Sequence, residues 1–315
     1  VVGAVSSEMR CCAAPKEVSQ LQKLASCALL RIADEVGIHT AATEAAWKVH
    51  LDELDQQINP KPSVIDGALF ATLDDLNEIY QKLENDTCLT GNVIFDVSTL
   101  PKRYFFYMLR RMIESPKVSN LIVTYAIPER YGKKLYENPG SWEPFPSFGP
   151  THSTVERPML VIAVGYHHLN LLDLIQDRPP RQIRLIKPFP SKPPGSIQNW
   201  EFIRFVRGQI AFQPQDIIRV NTYAAPLLFD HLVAQCQAQQ EEVILAPYGP
   251  KPFSLGMALF ALAREAQGLP VTVGYTQPKS YSSDYSTGVE IGYDGYPVVH
   301  SYCVKLNNKN LFSIT

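Results

Sequence analysis

Residues 93–131 read VIFDVSTLPKRYFFYMLRRMIESPKVSNLIVTYAIPERY, and residues 243–281 read VILAPYGPKPFSLGMALFALAREAQGLPVTVGYTQPKSY. Each stretch runs apolar strand, Pro-Lys turn, apolar helix, apolar strand, then Tyr-x-x-Pro-x-x-Tyr. Pro101 and Pro250 are 149 residues apart, and Tyr125, Pro128 and Tyr131 are each 150 residues from Tyr275, Pro278 and Tyr281. Three identities at one spacing beyond a matched turn point to an internal duplication. A fainter echo precedes them: Val1–Arg10 (VVGAVSSEMR) and Leu160–Leu169 (LVIAVGYHHL) are both short apolar strands ending in a small-residue turn.

Working outward from that repeat, the chain divides into two units, 1–150 and 151–315, joined by a Pro-rich linker around Pro144–Pro158. In the first unit the apolar runs predict strands at Val1–Val5, Ala28–Ala33, Val93–Phe95 and Leu121–Tyr125. Helical spacing predicts helices at Ala41–Gln56, Leu73–Glu84 and Arg103–Glu114. In the second, strands are expected at Leu160–Val164, Ile183–Ile186, Ile217–Val220, Val243–Ala246 and Val271–Tyr275, with helices at Asn199–Val206, Ala225–Gln239 and Ser254–Ala266. The β-branched runs are continuous, as in strands covered on both faces, and their alternation with helices implies parallel sheets. The expected fold class is therefore α/β: two tandem Rossmann-like units with mainly parallel sheets. A last pair, Val298–Leu306 and Leu311–Ile314, reads as an antiparallel hairpin across Asn307-Asn308.

Open parallel sheets bind ligands beyond the carboxyl ends of their strands. The unusual motifs all fall there. Glu8 and Arg10 follow the first strand. Asp96, Ser98 and Lys102 follow a second, while Gly249 and Lys251 hold the matching place in the other unit. A serine cap and a first-turn proline explain much of Asp96–Pro101. They do not explain lysines at the start of two helices, where the macrodipole repels cations. Free N–H groups, dipole and ammonium together favour an anion. Tyr125, Tyr131, Tyr275 and Tyr281 either plug the sheet edge or offer a surface on which a base or sugar stacks. Asp284 lies in the polar segment Ser282–Gly288, which is placed to close over a ligand. Asp96 is the candidate metal ligand or general base.

Composition excludes several classes. Basic and acidic residues number 29 and 31, so net charge does not indicate nucleic acid as a partner. No apolar run approaches the ~18 residues of a membrane span. The six cysteines are scattered and none forms C-x-x-C, which argues against a zinc site and for reduced thiols in a cytoplasmic protein. Neither a Walker A loop nor G-x-G-x-x-G is present, so no cofactor is named and ordinary NAD binding is disfavoured. The chain begins at Val1 rather than Met, which leaves room for a preceding segment. Of the 25 prolines, clusters at 139–158 and 179–194 predict loops or extended connections.

Paired Rossmann-like units with strand-end loops facing each other resemble the CARF-type and related nucleotide-sensing domains of prokaryotic antiviral defence systems, and the turns DVSTLPK and YGPKP, the Tyr-Pro-Tyr turns and the DYSTG segment resemble a bacterial family sharing this layout. The resemblance implies a nucleotide-like ligand, with a protein partner if the chain is the recognition component of a defence complex. Two functions stay open at this point. One is a sensing module for a small anionic ligand. The other is an enzyme on a nucleotide or phosphorylated substrate, working at the cleft between the units with Asp96 and the two lysines at its centre.

Overall fold

The computed structural model describes residues 1–34, 39–87, 89–132, 135–149, 157–191, 195–236 and 241–314. In chain order the first elements are β1 (Val2–Val5), α1 (Ala13–Leu21), β2 (Ala28–Ala33), α2 (Thr40–Gln57), β3 (Ser63–Ala68), α3 (Leu73–Thr87), β4 (Gly91–Asp96), α4 (Lys102–Glu114), β5 (Val118–Ala126), β6 (Arg130–Tyr131) and β7 (Tyr136–Pro144). There follow β8 (Met159–Ala163), α5 (Leu171–Asp177), β9 (Gln182–Phe189), α6 (Gly195–Gln209), β10 (Ile217–Asn221), α7 (Ala225–Cys236), β11 (Val243–Pro247), α8 (Lys251–Ala266) and β12 (Val271–Tyr281). The chain ends with β13 (Ser286–Thr287), β14 (Val299–Leu306) and β15 (Lys309–Asn310).

Two compact units result. One comprises Val1–Asn138 with Pro278–Leu311, the other Pro139–Gln277 with the residues from Phe312 onward. The first sheet runs β15-β14-β5-β4-β1-β2-β3 and the second β10-β9-β8-β11-β12-β7. Within β3-β2-β1-β4-β5 and within β10-β9-β8-β11-β12 the neighbours pair in parallel. The fold is thus α/β with mainly parallel sheets, and both five-strand cores follow one order, third-second-first-fourth-fifth. In such a sheet the connections leave the first strand in opposite directions, and a crevice opens at its carboxyl end.

The central strands behave as their composition demands. Every residue of β1, β8 and β11 is buried. Helix α8 is buried from Pro252 through Arg264. A Cβ at Gly256 would fall 2.9 Å from the Ala225 carbonyl, so α7 can approach closely only where α8 lacks a side chain. Arg264 ends this apolar helix without an unmet charge: its guanidinium donates to the carbonyls of Cys236, Glu241 and Pro270. In the first unit the Lys305 ammonium donates to the carbonyls of Ile113 (2.9 Å) and Ser115 (2.8 Å). That closes the carboxyl end of α4, where the macrodipole favours a cation.

Several expectations need correction. Tyr275 to Tyr281 is not a turn; β12 continues through it. The final hairpin does turn at Asn307-Asn308, both with positive φ (49° and 62°) as a type I′ turn requires. Its second strand is Lys309–Asn310 rather than Leu311–Ile314, because a two-residue turn starts pairing at once: Leu306 lies opposite Lys309 and Lys305 opposite Asn310. The Pro-rich residues of the expected linker begin inside β7, at the end of the second sheet, where proline's missing N–H does least harm. Cys11, Cys12, Cys27, Cys236 and Cys303 are free; Cys88 lies outside the described residues. Among the described residues no helix is long and apolar enough to cross a membrane.

Candidate functional site

In the first unit the chain after β1 turns through Ser6–Arg10 into a short 3-10 turn at Met9–Cys12. The turn carries Arg10 inward, where its side chain is 2% exposed. Glu8, also buried, accepts from Arg10 Nε at 2.9 Å and from Arg10 Nη2 at 2.8 Å, both on Oε2. Ser286 Oγ donates to the same oxygen. Arg10 Nη1 has no hydrogen-bond partner among the described residues. The guanidinium lies 5.7 Å from the centre of the Tyr125 ring and 6.0 Å from that of Tyr131. Burial weakens its hold on a proton, but Glu8 and then Tyr125, Tyr131 and Tyr285 more than offset this, and the net direction is upward. Arg10 is therefore a fixed positive charge with one donor nitrogen unspent.

The tyrosines form a wall beside it. Tyr125 and Tyr131 share a hydrogen bond between hydroxyls at 2.9 Å. Tyr285 meets Tyr131 and Tyr281 edge to face, at 6.0 and 5.6 Å. The segment Ser282–Gly288 is not a free flap: Ser286 and Thr287 pair antiparallel with Tyr131 and Arg130 as β13 on β6. Asp284 is exposed and accepts from Ser282 Oγ at 3.0 Å, so it shapes the turn that delivers Tyr285 and Ser286. The Tyr281 amide donates to Asp34 Oδ2 at 2.6 Å, just past the end of β2, and burial raises the Asp34 carboxyl.

Asp96 belongs to a second cluster. Its Oδ1 accepts from Ser98 Oγ at 2.7 Å and Thr124 Oγ1 at 3.0 Å, and Ser98 Oγ accepts from the Ala126 amide at 2.8 Å. These bonds tie the end of β4 to β5. Asp96 also packs on β1, where a Cβ on Gly3 would come within 3.3 Å of the Asp96 Cβ. Lys102 opens α4 after Pro101, and burial pulls its ammonium down to about 7.

The matching residues of the second unit are built differently. Lys251 opens α8 after Pro250. A Cβ on Gly249 would lie 3.0 Å from the Val164 carbonyl, which identifies a close backbone approach. Tyr275 sits in an aromatic layer, 5.2 Å from Tyr248 and 6.2 Å from Phe145, and burial raises its hydroxyl. Tyr248 in turn shares a 2.8 Å hydrogen bond with Thr276. His168 stacks flat on Phe205. This edge is filled with the unit's own rings.

The structure thus brings Glu8, Arg10, Tyr125 and Tyr131 together, and joins Asp96 to Ser98. Sequence reading missed Tyr285, Ser286 and Thr124. Tyr285 and Ser286 lie some 280 residues from Glu8 in the chain, and the β6–β13 pairing brings them beside it. Among the described residues no group of three or more His, Cys, Asp or Glu side chains could hold a metal ion. The fold is α/β, and the strand-end edge of its first unit holds a buried Glu8–Arg10 pair beside a group of tyrosines. No family model and no curated protein matches the chain.

Proposed function

We propose that the first unit binds a small anionic, nucleotide-like ligand at the carboxyl edge of its sheet, through Arg10 and Lys102, with Tyr125 and Tyr131 beside it. On this reading the chain is a sensing module, and the kinship of layout with nucleotide-sensing defence domains supplies the ligand class and the expectation of a protein partner. One observation carries the proposal: Arg10 is almost wholly buried, held in place by Glu8, and keeps a guanidinium nitrogen unmatched. A buried donor without an acceptor costs about 1–3 kcal/mol, which an anionic ligand would recover. An enzyme centred on Asp96 draws less support, because two buried hydroxyls already occupy Asp96 Oδ1. Descent of the two units from one ancestor is part of the proposal; the shared strand order and the Pro-Lys helix starts at Lys102 and Lys251 support it.

Thermal melts with ATP, AMP and inorganic phosphate test the reading on wild type, Arg10→Lys and Lys102→Met. A nucleotide should raise the wild-type melting temperature, and both substitutions should diminish that rise. An equal rise in all three proteins refutes the site.

A further inference from the structure

A different group of residues in the second unit is left electrostatically incomplete. Lys187 near the end of β9 and Arg219 on β10 are direct partners in a parallel register. Strands are about 4.8 Å apart, so both side chains leave the same face as neighbours. Like charges so placed repel. Arg219 is exposed, but Lys187 is only 5% exposed. Among the described residues neither side chain makes a hydrogen bond or an ion pair. This contrasts with the other enclosed cations of the unit: Arg264 meets three carbonyls, and Arg178 forms two bonds to the Glu242 carboxylate. The indole of Trp200 on α6 lies 5.3 Å from the Lys187 ammonium. Burial, and then the charge of Arg219, lower the lysine's affinity for its proton.

We propose that Lys187, Arg219 and Trp200 form a binding site for a nucleoside phosphate, the two cations taking the phosphate and the indole stacking on the base. A phosphate between the two cations would remove the repulsion and give the ammonium a charged acceptor. Trp200 remains 42% exposed, so its ring has area left for a second planar partner. Phe189, at the end of β9, and Ile197, in the first turn of α6, are exposed as well and give the site an apolar rim. The site lies toward the carboxyl ends of two adjacent parallel strands, two residues before the last of each. This site is separate from the one on Arg10 and does not depend on it.

The test labels the full chain with 5-fluorotryptophan and follows the three indole resonances by 19F NMR, that of Trp200 being assigned with Trp200→Phe. AMP should move the Trp200 resonance in wild type and equally in Lys102→Met, so a failure of the first-unit site leaves the result readable. Lys187→Met, which keeps the stem, and Arg219→Ala, at an exposed position, should each weaken that response about ten- to a hundredfold. Unchanged Trp47 and Trp142 resonances in the variants establish that they are folded. Inorganic phosphate should compete with AMP, and adenosine should not. A Trp200 resonance unmoved by millimolar AMP overturns the proposal, as does a response that survives both charge substitutions.

Discussion

Replacing Lys102 by methionine keeps the length of the side chain and removes its charge. Lys102 heads α4, where the dipole opposes a cation, and burial brings its ammonium from an ordinary 10.5 to about 7. Each pH unit of that fall is worth ~1.4 kcal/mol. Complete loss of solvent would put the penalty at about 5 kcal/mol; Lys102 is half-buried, and screening reduces the figure to about 2 kcal/mol. The sign follows from proton binding. Between pH 7 and 10.5 the unfolded chain holds this proton more tightly than the folded protein, so stability rises with pH across that window. Lys102→Met should therefore be the more stable protein by about 2 kcal/mol at neutral pH, and its advantage should vanish as pH approaches 10.5. Urea unfolding of both proteins across this range measures the gap directly. An anionic ligand raises the lysine's proton affinity, so binding near neutral pH should take up a proton, visible by calorimetry in buffers of different ionisation heat. A variant that is less stable, or a gap that does not change with pH, refutes the reasoning.

Four further outcomes are expected. Glu8→Gln removes the counter-charge of Arg10 and should cost about 3 kcal/mol, with inorganic phosphate restoring more stability to the variant than to wild type; urea midpoints with and without phosphate decide it. Asp96→Ala strands the hydroxyls of Ser98 and Thr124 and should cost about 2–4 kcal/mol, while Gly3→Ala, pressing on Asp96 from β1, should cost about 1–2 kcal/mol; equilibrium unfolding of each variant checks both. Titration of the denatured chain without reductant should find all six cysteines as free thiols, and a smaller number contradicts the expectation of reduced, unpaired cysteines.

The parts of the fold legible in the sequence were those in which burial overrides everything else. Strands β1, β8 and β11 are apolar runs because both faces are covered, and their limits, like those of β2 and β4, fell within a residue or two of expectation. Strand β3 was missed: its sequence, SVIDGA, is that of a strand at the end of the sheet, with Asp66 turned to solvent and paired with Arg31. Helix α1 was hidden by Pro15, which stands in its first turn, where no intrahelical N–H bond is required. That Glu8, Arg10, Tyr125 and Tyr131 lie together was legible from their places after strand ends. The pairing of Glu8 with Ser286 was not, because it rests on contacts across the length of the chain. Lys187 escaped notice because a lysine inside an apolar run looks like an ordinary surface position until its neighbour across the sheet is known.

The first unit is completed by residues that follow the second in sequence: the return segment from Pro278 supplies β13, β14 and β15. This sets a timetable for synthesis. After Asn138 has been made, the ribosome must add the entire second unit before Tyr285, Ser286 and Lys305 exist, a wait on the order of 10–30 s at ordinary elongation rates. Throughout that interval the Glu8–Arg10 pair lacks its serine, β5 has no neighbour on its outer side, and the carboxyl end of α4 lacks its lysine. The nascent protein therefore carries an open sheet edge and an incomplete setting for Arg10 until the return segment docks.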